Sequence, residues 1–170
     1  MVHKTANVDE VATAISRGSF EFQGQKCSAS SRVYLPKSMA QDVISKVVSD
    51  VNSFKVGVPS DYSNFVNAVI DEKAFDKIAE FVDYCNAASD ADVVAGGTYD
   101  KSKGYFIQPT VVVTDNPKFR TMCEEIFGPV LSVLTFRTPQ EGIDKASNFG
   151  TLDIIQALKW VNKNIELFNF

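Results

Sequence analysis

The alternation of helical and extended patterns along the chain limits most strongly what it can fold into. Apolar residues recur at helical spacing in four segments, at about residues 9–17, 38–51, 71–87 and 152–168. Strand-forming runs occupy residues 31–36, 92–97, 104–113 and 130–136, and a further helix begins after residue 139. The order is helix, strand, helix, helix, strand, strand, strand, helix, helix. It favours an α/β domain with helices flanking a sheet that is at least partly parallel.

Single residues indicate where these elements begin and end. Asn7 or Asp9 can cap the first helix, which we expect to end near Arg17 because Gly18 follows it. Prolines limit the length of the strands, because a proline has no N–H to donate to a neighbouring strand. Pro36 should therefore end the first strand.

Charge and hydropathy exclude several classes of partner. The formal net charge is −4, and no run of Lys or Arg forms a phosphate-binding surface, which argues against a nucleic-acid partner. No apolar stretch approaches the roughly 20 residues that span a bilayer, and the N-terminus has no leader pattern. With 45% hydrophobic residues in 170, we expect one soluble domain with a substantial core and no membrane partner.

The cysteines and the single histidine limit the chemistry. Cys27, Cys85 and Cys123 are an odd number at long spacings, which suggests neither a disulfide framework nor a metal site. Cys85 lies in a helical apolar stripe and should pack as a small hydrophobe. His3, near the N-terminus, is the only imidazole, so a Cys–His protease is disfavoured.

Cys27 lies in the segment "GQKCSAS" and allows two interpretations. A free cysteine is usually a buried structural residue. However, Gly24 permits a tight turn, and the small residues Ser28 and Ala29 leave the thiol unshielded just before a strand. The local pattern thus leaves open a buried thiol and a loop that presents a nucleophile.

Two longer motifs carry a family resemblance. The segment "SFEFQGQKCSASSRVYLPKS" and, about a hundred residues later, "EEIFGPVLSV" with "GYFIQPTVV" ahead of it resemble the aldehyde dehydrogenase superfamily in content, order and separation. Within it, Lys26, Ser28 and "FKVGVPSDYSNFVNAVIDEKAFDKI" look like the subfamily that oxidises L-glutamate γ-semialdehyde to L-glutamate in proline breakdown. The resemblance implies a three-layer catalytic domain. Its core is expected at residues 1–136, with residues 137–170 a divergent helical segment of the same domain.

The resemblance also implies residue roles. Cys27 would attack the aldehyde and pass through a thiohemiacetal and a thioester, while its backbone N–H helps to hold the oxyanion. Ser28 would contact the substrate carboxylate, or merely satisfy the turn backbone. Phe20 would wall the aldehyde pocket, or pack in the core. Glu125 would bind the hydroxyls of the nicotinamide ribose of NAD with Phe127 packed beside it; the alternatives are a solvated glutamate and a core phenylalanine.

Family members are much longer than this chain. We find in these 170 residues no counterpart of the family's Rossmann half, general-base glutamate, oligomerisation hairpin or carboxylate-anchoring loop. We therefore expect the isolated chain to be inactive. Family members form homo-oligomers, but the hairpin that joins them is among these missing parts. A mitochondrial matrix location is implied by the resemblance alone. The alternatives are a truncated, non-catalytic relative that binds full-length subunits, and a bare reactive-thiol protein.

Overall fold

A computed structural model describes residues 1–146 as a sheet with helices on both faces. The helices are α1 (Val8–Phe20), α2 (Lys37–Ser53), α3 (Glu72–Ala87), α4 (Arg120–Cys123) and α5 (Pro139–Lys145). The strands are β1 (Arg32–Pro36), β2 (Ala91–Ala95), β3 (Tyr99–Asp100), β4 (Phe106–Ile107), β5 (Thr110–Thr114) and β6 (Val130–Phe136).

The main sheet has the strand order β1-β6-β5-β2, and β3 pairs with β4 in a separate hairpin. β1 and β5 both lie parallel to β6, whereas β2 runs antiparallel to β5 at one edge. Arg32 is in register with Ser132, and Thr110 with Val130. The three parallel strands therefore begin at the same edge of the sheet, and the α/β prediction with a partly parallel sheet is confirmed.

Alternate residues of the central strand β6 enter two separate apolar clusters. Leu131 and Val133 belong to the cluster built with α1 and α2, whereas Val130 and Leu134 belong to the cluster built with α3. All four side chains are at most 2% exposed. Side chains of a strand alternate between its faces, so these clusters lie on opposite sides of the sheet. The predicted three-layer arrangement is confirmed.

The first helix differs from the prediction at its end. Asn7 caps α1 as expected, with its side-chain oxygen accepting from the amides of Asp9 and Glu10. Gly18, however, lies inside α1, which continues to Phe20. The amide of Ser30 donates to the carbonyl oxygen of Gly18 at 2.9 Å, and a Cβ on Gly18 would lie 3.2 Å from the Ser30 Oγ, so the following loop packs closely against the helix at this residue.

The C-terminal prediction is tested only in part. A helix does begin at Pro139, as α5, with Thr138 as its N-cap. The helix expected at residues 152–168 lies outside the described residues. None of the helices described within residues 1–146 combines the length and the apolar character of a membrane span.

Candidate active site

The first half of the site is a tight turn that carries Cys27 at its tip. The amide of Ala29 donates to the carbonyl oxygen of Lys26 at 3.0 Å, which closes a four-residue turn with Cys27 and Ser28 in its centre. Both central residues are exposed. Of the two interpretations left open by the sequence, the structure therefore supports the presented thiol, whereas Cys85 is buried in the core as expected.

A run of left-handed backbone leads into this turn. Phe22, Gln23 and Gly24 have φ values of 53°, 58° and 65°. For a residue with a side chain, this conformation costs roughly 1 to 2 kcal/mol. Gly24 has a second constraint, because an added Cβ would lie 2.5 Å from the carbonyl oxygen of Gly128 and 2.8 Å from that of Ser19. The run bends the chain tightly against the loop that contains Gly128.

The second half of the site is this loop, between α4 and β6. Ile126 and Gly128 are buried, but Phe127 between them has φ 60° and a side chain 45% exposed. A positive φ is a genuine outlier for a bulky aromatic residue. It turns the Phe127 ring out of the core. Lys77 of α3 holds the same loop, since its Nζ donates to the carbonyl oxygen of Glu125 at 2.8 Å.

Parallel pairing brings the two halves together. The Cys27 turn precedes β1 and the Glu125 loop precedes β6, and these strands are parallel neighbours. The two segments consequently meet at one edge of the sheet, around a cavity of about 260 Å³. Cys27, Glu125 and Phe127 line this cavity, together with Lys26 and Arg32. The structure thus places three of the five predicted site residues around one space.

Ion pairs and hydrogen bonds fix the cationic wall of the cavity. Glu21 accepts from Arg17 at 2.5 and 2.7 Å and pairs with Lys26 at 3.2 Å. The hydrogen bonds from Arg17, and then the one from Lys26, lower the pKa of the Glu21 carboxyl. Arg32 donates from Nη1 to the carbonyl oxygen of Met122 at 2.8 Å, which ties the start of β1 to α4. Both cations of the wall therefore have fixed partners.

The other two predicted site residues lie outside the cavity lining. Ser28 is exposed beside Cys27 at the tip of the turn. Phe20 is fully buried in the cluster with α1 and α2, and its ring makes an edge contact with that of Phe54 at 6.2 Å between centroids. Phe20 ends α1, whose buried face it shares. The structure places Phe20 in the core instead of in the wall of the cavity.

Two residues of the site were missed by the sequence reasoning. Lys77 and Gln25 hold the two segments through backbone partners, at Glu125 and Ile70 respectively. Both lie beside Phe127 around a second, more apolar recess of about 560 Å³. Gln25 is within the motif "GQKC", which was a usable signal, but nothing local distinguishes Lys77 from the other surface lysines of α3.

Comparison with known proteins gives the family. A sequence model described as the aldehyde dehydrogenase family matches residues 1–151. The mitochondrial delta-1-pyrroline-5-carboxylate dehydrogenase of Emericella nidulans is 45% identical over 136 residues, covering 80% of this chain and 24% of the relative. That of mouse is 36% identical over 155 residues, covering 88% and 28%. The chain thus spans about a quarter of the length of these relatives.

Solved structures agree with this assignment. The NAD-bound delta-pyrroline-5-carboxylate dehydrogenase of Mycobacterium tuberculosis has a TM-score of 0.72 at 38% identity, covering 79% of this chain and 24% of that one. The NAD-bound enzyme from Thermus has a TM-score of 0.77 at 33% identity, covering 84% and 27%. The NAD+ complex of a Bacillus cereus aldehyde dehydrogenase has a TM-score of 0.81 at 29% identity, covering 86% and 30%. This chain belongs to the aldehyde dehydrogenase family.

Proposed function

We propose that this chain provides the nucleophile and part of the cofactor site of an NAD-dependent dehydrogenase that oxidises L-glutamate γ-semialdehyde to L-glutamate. The observation that carries the proposal is the single cavity shared by Cys27, Glu125 and Phe127. The cavity brings together a thiol that can attack the aldehyde, a carboxylate that can bind ribose hydroxyls and an outward aromatic ring that can pack beside the ribose.

Cys27 is the proposed nucleophile. Its thiolate adds to the aldehyde carbon: a carbon–sulfur bond forms, the carbonyl electron pair moves to oxygen, and a thiohemiacetal results. Loss of a hydride from this carbon, to the acceptor that bound NAD would supply, would leave a thioester on Cys27. Water then cleaves the carbon–sulfur bond, so that the acid is released and the thiol is restored. The exposed position of Cys27 in a hydrogen-bonded turn suits both the addition and the hydrolysis.

Glu125 and Phe127 fit the ribose end of NAD. A carboxylate has two acceptor oxygens, enough to bind two neighbouring hydroxyls at once. Glu125 is exposed at the cavity, and Lys77 binds its main-chain oxygen instead of its carboxylate. The outward ring of Phe127 offers an apolar surface beside it. These residues would hold NAD from one side.

The substrate and the location follow from the relatives. The curated relatives described above are named mitochondrial delta-1-pyrroline-5-carboxylate dehydrogenases. We infer the same substrate class for this chain, with Ser28 beside the thiol as the proposed contact for the substrate carboxylate, and a mitochondrial matrix location.

A chimaera provides the test. We would replace the matched segment of the Emericella nidulans relative with this chain and measure NAD reduction with L-glutamate γ-semialdehyde. Turnover is expected, with loss of at least about a thousandfold in Cys27→Ala and no loss in Cys123→Ala, whose thiol is also exposed. A folded but inactive chimaera would contradict the proposal. The isolated chain is expected to show no turnover.

A specific observation favours a second candidate function, binding to another polypeptide. Phe22 is 68% exposed and Ile70 81% exposed, and both border the second recess. Such grouped apolar surface is typical of a protein interface. Co-purification of the chain with a full-length relative, lost in a Phe22→Ser variant, would support a non-catalytic binding role. If the chain does not co-purify with the relative and the chimaera is active, only the enzymatic function is supported.

A further inference from the structure

We propose that Gln25 is a positioning residue for Cys27: it fastens the loop that carries the thiol to the chain just before α3. The proposal deepens the proposed function, because it explains how the nucleophile is held in the cavity. Gln25 lies two residues before Cys27 in the sequence but does not line the cavity with it. Its effect on the thiol therefore passes through the backbone.

Gln25 has partners on both sides. Its side-chain Oε1 accepts a hydrogen bond from the amide of Ile70 at 3.0 Å, across 45 positions of sequence. Its own amide donates to the carbonyl oxygen of Phe22 at 3.0 Å. One residue thus joins the left-handed run Phe22–Gly24 to a distant part of the chain.

The Ile70 amide is held in position because helix α3 starts immediately after it. Asp71 is the N-cap of α3, and its Oδ1 accepts from the amide of Ala74 at 2.7 Å. The amide of Val69 donates to the carbonyl oxygen of Tyr105 at 2.9 Å. The Ile70 side chain is 81% exposed, so the contact with Gln25 depends on its backbone and not on apolar packing.

The loop needs such an anchor because its backbone is strained. Phe22 and Gln23 occupy left-handed conformations that residues with side chains disfavour, and such conformations persist only where the surroundings impose them. The bond from Gln25 to Ile70 opposes relaxation of this run. Release would allow the turn Lys26–Ala29 to reorient, and the Cys27 thiol with it.

The main experiment compares Gln25→Met, which removes the acceptor, with Gln25→Glu, which keeps it. The amides of Ala29 and Ser30 do not touch Gln25 but bond to Lys26 and Gly18. Loss of one such hydrogen bond corresponds to roughly a two- to tenfold shift in the opening equilibrium. We expect the hydrogen exchange of both amides to be faster by that factor in Gln25→Met, and close to the original rate in Gln25→Glu.

A second readout reports on the thiol itself. We expect the rate of Cys27 alkylation by iodoacetamide to change by at least about twofold in Gln25→Met, because the turn that presents the thiol reorients, and to recover in Gln25→Glu. Cys123 is exposed in the same molecule and serves as an internal reference whose rate should not change. Gln41→Met, on the exposed face of α2, is the matched control.

The donor can also be removed from the other side, which keeps the proposal testable if Gln25→Met does not fold. Ile70→Pro deletes the amide N–H, whereas Ile70→Ala retains it. The proline variant should reproduce the effects of Gln25→Met and the alanine variant should not.

The outcomes separate this proposal from the proposed function, because neither readout requires NAD or turnover. Unchanged exchange at Ala29 and Ser30 would overturn the proposal. So would a Gln25→Glu variant that behaves like Gln25→Met, or faster exchange with an unchanged rate of Cys27 alkylation. If these effects appear while the chimaera is inactive, the positioning stands and the proposed reaction fails.

Discussion

Gly24 and Gly128 are in contact across the two segments of the site: a Cβ on Gly24 would lie 2.5 Å from the carbonyl oxygen of Gly128. This distance is too short for any side-chain atom, so the main chain of one segment must move if Gly24 acquires one. The contact makes the position of the Cys27 turn depend on that of the Glu125 loop.

Gly24→Ala should therefore destabilise the fold strongly. The Cβ would clash with two carbonyl oxygens, and the left-handed φ of 65° adds strain for any residue with a side chain. We expect the free energy of unfolding to fall by about 2 kcal/mol or more, measured by urea denaturation. Gly18→Ala is the matched control: that helical position meets only the Ser30 side chain, at 3.2 Å, and should change stability by less than about 1 kcal/mol. Equal effects of the two substitutions would contradict the contact.

Substitution of Phe127 should separate backbone strain from side-chain function. Its φ of 60° suits glycine, so Phe127→Gly should be more stable than Phe127→Ala by about 1 kcal/mol in thermal or urea unfolding. Both variants lose the exposed ring and should weaken NAD binding in the chimaera to a similar degree. An alanine variant as stable as the glycine variant would show that the left-handed conformation is not imposed on this residue.

Removal of Lys77 should loosen the Glu125 loop. Lys77→Met deletes the donor to the Glu125 carbonyl oxygen, and nitrogen relaxation should then report lower backbone order at Glu125 and Phe127. Because the lysine is exposed, we expect a change in stability below about 1 kcal/mol. Lys73→Met, one turn earlier on the same helix, is the control and should leave the order of the loop unchanged. Equal order in all three proteins would exclude the anchoring role.

The buried thiol of Cys85 should make stability depend on alkaline pH. Burial raises the pKa of the Cys85 thiol from 9.0 to about 11. Between these values the unfolded chain loses the thiol proton while the folded chain keeps it, so the free energy of unfolding falls as pH rises. The difference in unfolding free energy between the original protein and Cys85→Ala should therefore shrink by about 1 kcal/mol from pH 8 to pH 10.

Val82→Ala controls for this pH effect, since Val82 lies in the same buried cluster as Cys85 and its side chain does not titrate. Its difference from the original protein should stay constant over the same range. A constant difference for Cys85→Ala as well would show that the thiol ionises equally in both states.

Local sequence patterns predicted most elements of the fold. The apolar stripes of α2 and α3 and the continuous apolar run of β6 depend on neighbours within a few residues, and their positions were predicted closely. The end of α1 was predicted wrongly at Gly18, because the contact of this glycine with Ser30 of a later loop does not show in the local pattern. Short elements such as α4 and β3 were missed, since four and two residues carry too little pattern.

The residues of the candidate site were likewise predicted only in part. Its motifs predicted Cys27, Glu125 and Phe127, which the structure brings around one cavity. For Phe20 the sequence left open a pocket wall and the core, and the structure buries it in the core. Gln25 and Lys77 bind backbone atoms of residues far away in sequence. The motif "GQKC" contains Gln25, but no local pattern identifies Lys77 or the backbone partner of either residue.

The sequence by itself determined the family, the order of the elements and the residue types of the chemistry, because these depend on motifs and short-range periodicity. Only the tertiary structure decided that the thiol and the carboxylate share one cavity. That outcome requires β1 to pair in parallel with β6, which joins segments about a hundred residues apart. It also requires left-handed backbone at Phe22, Gln23 and Phe127, conformations that these residues adopt only when packing and hydrogen bonds from the rest of the fold impose them.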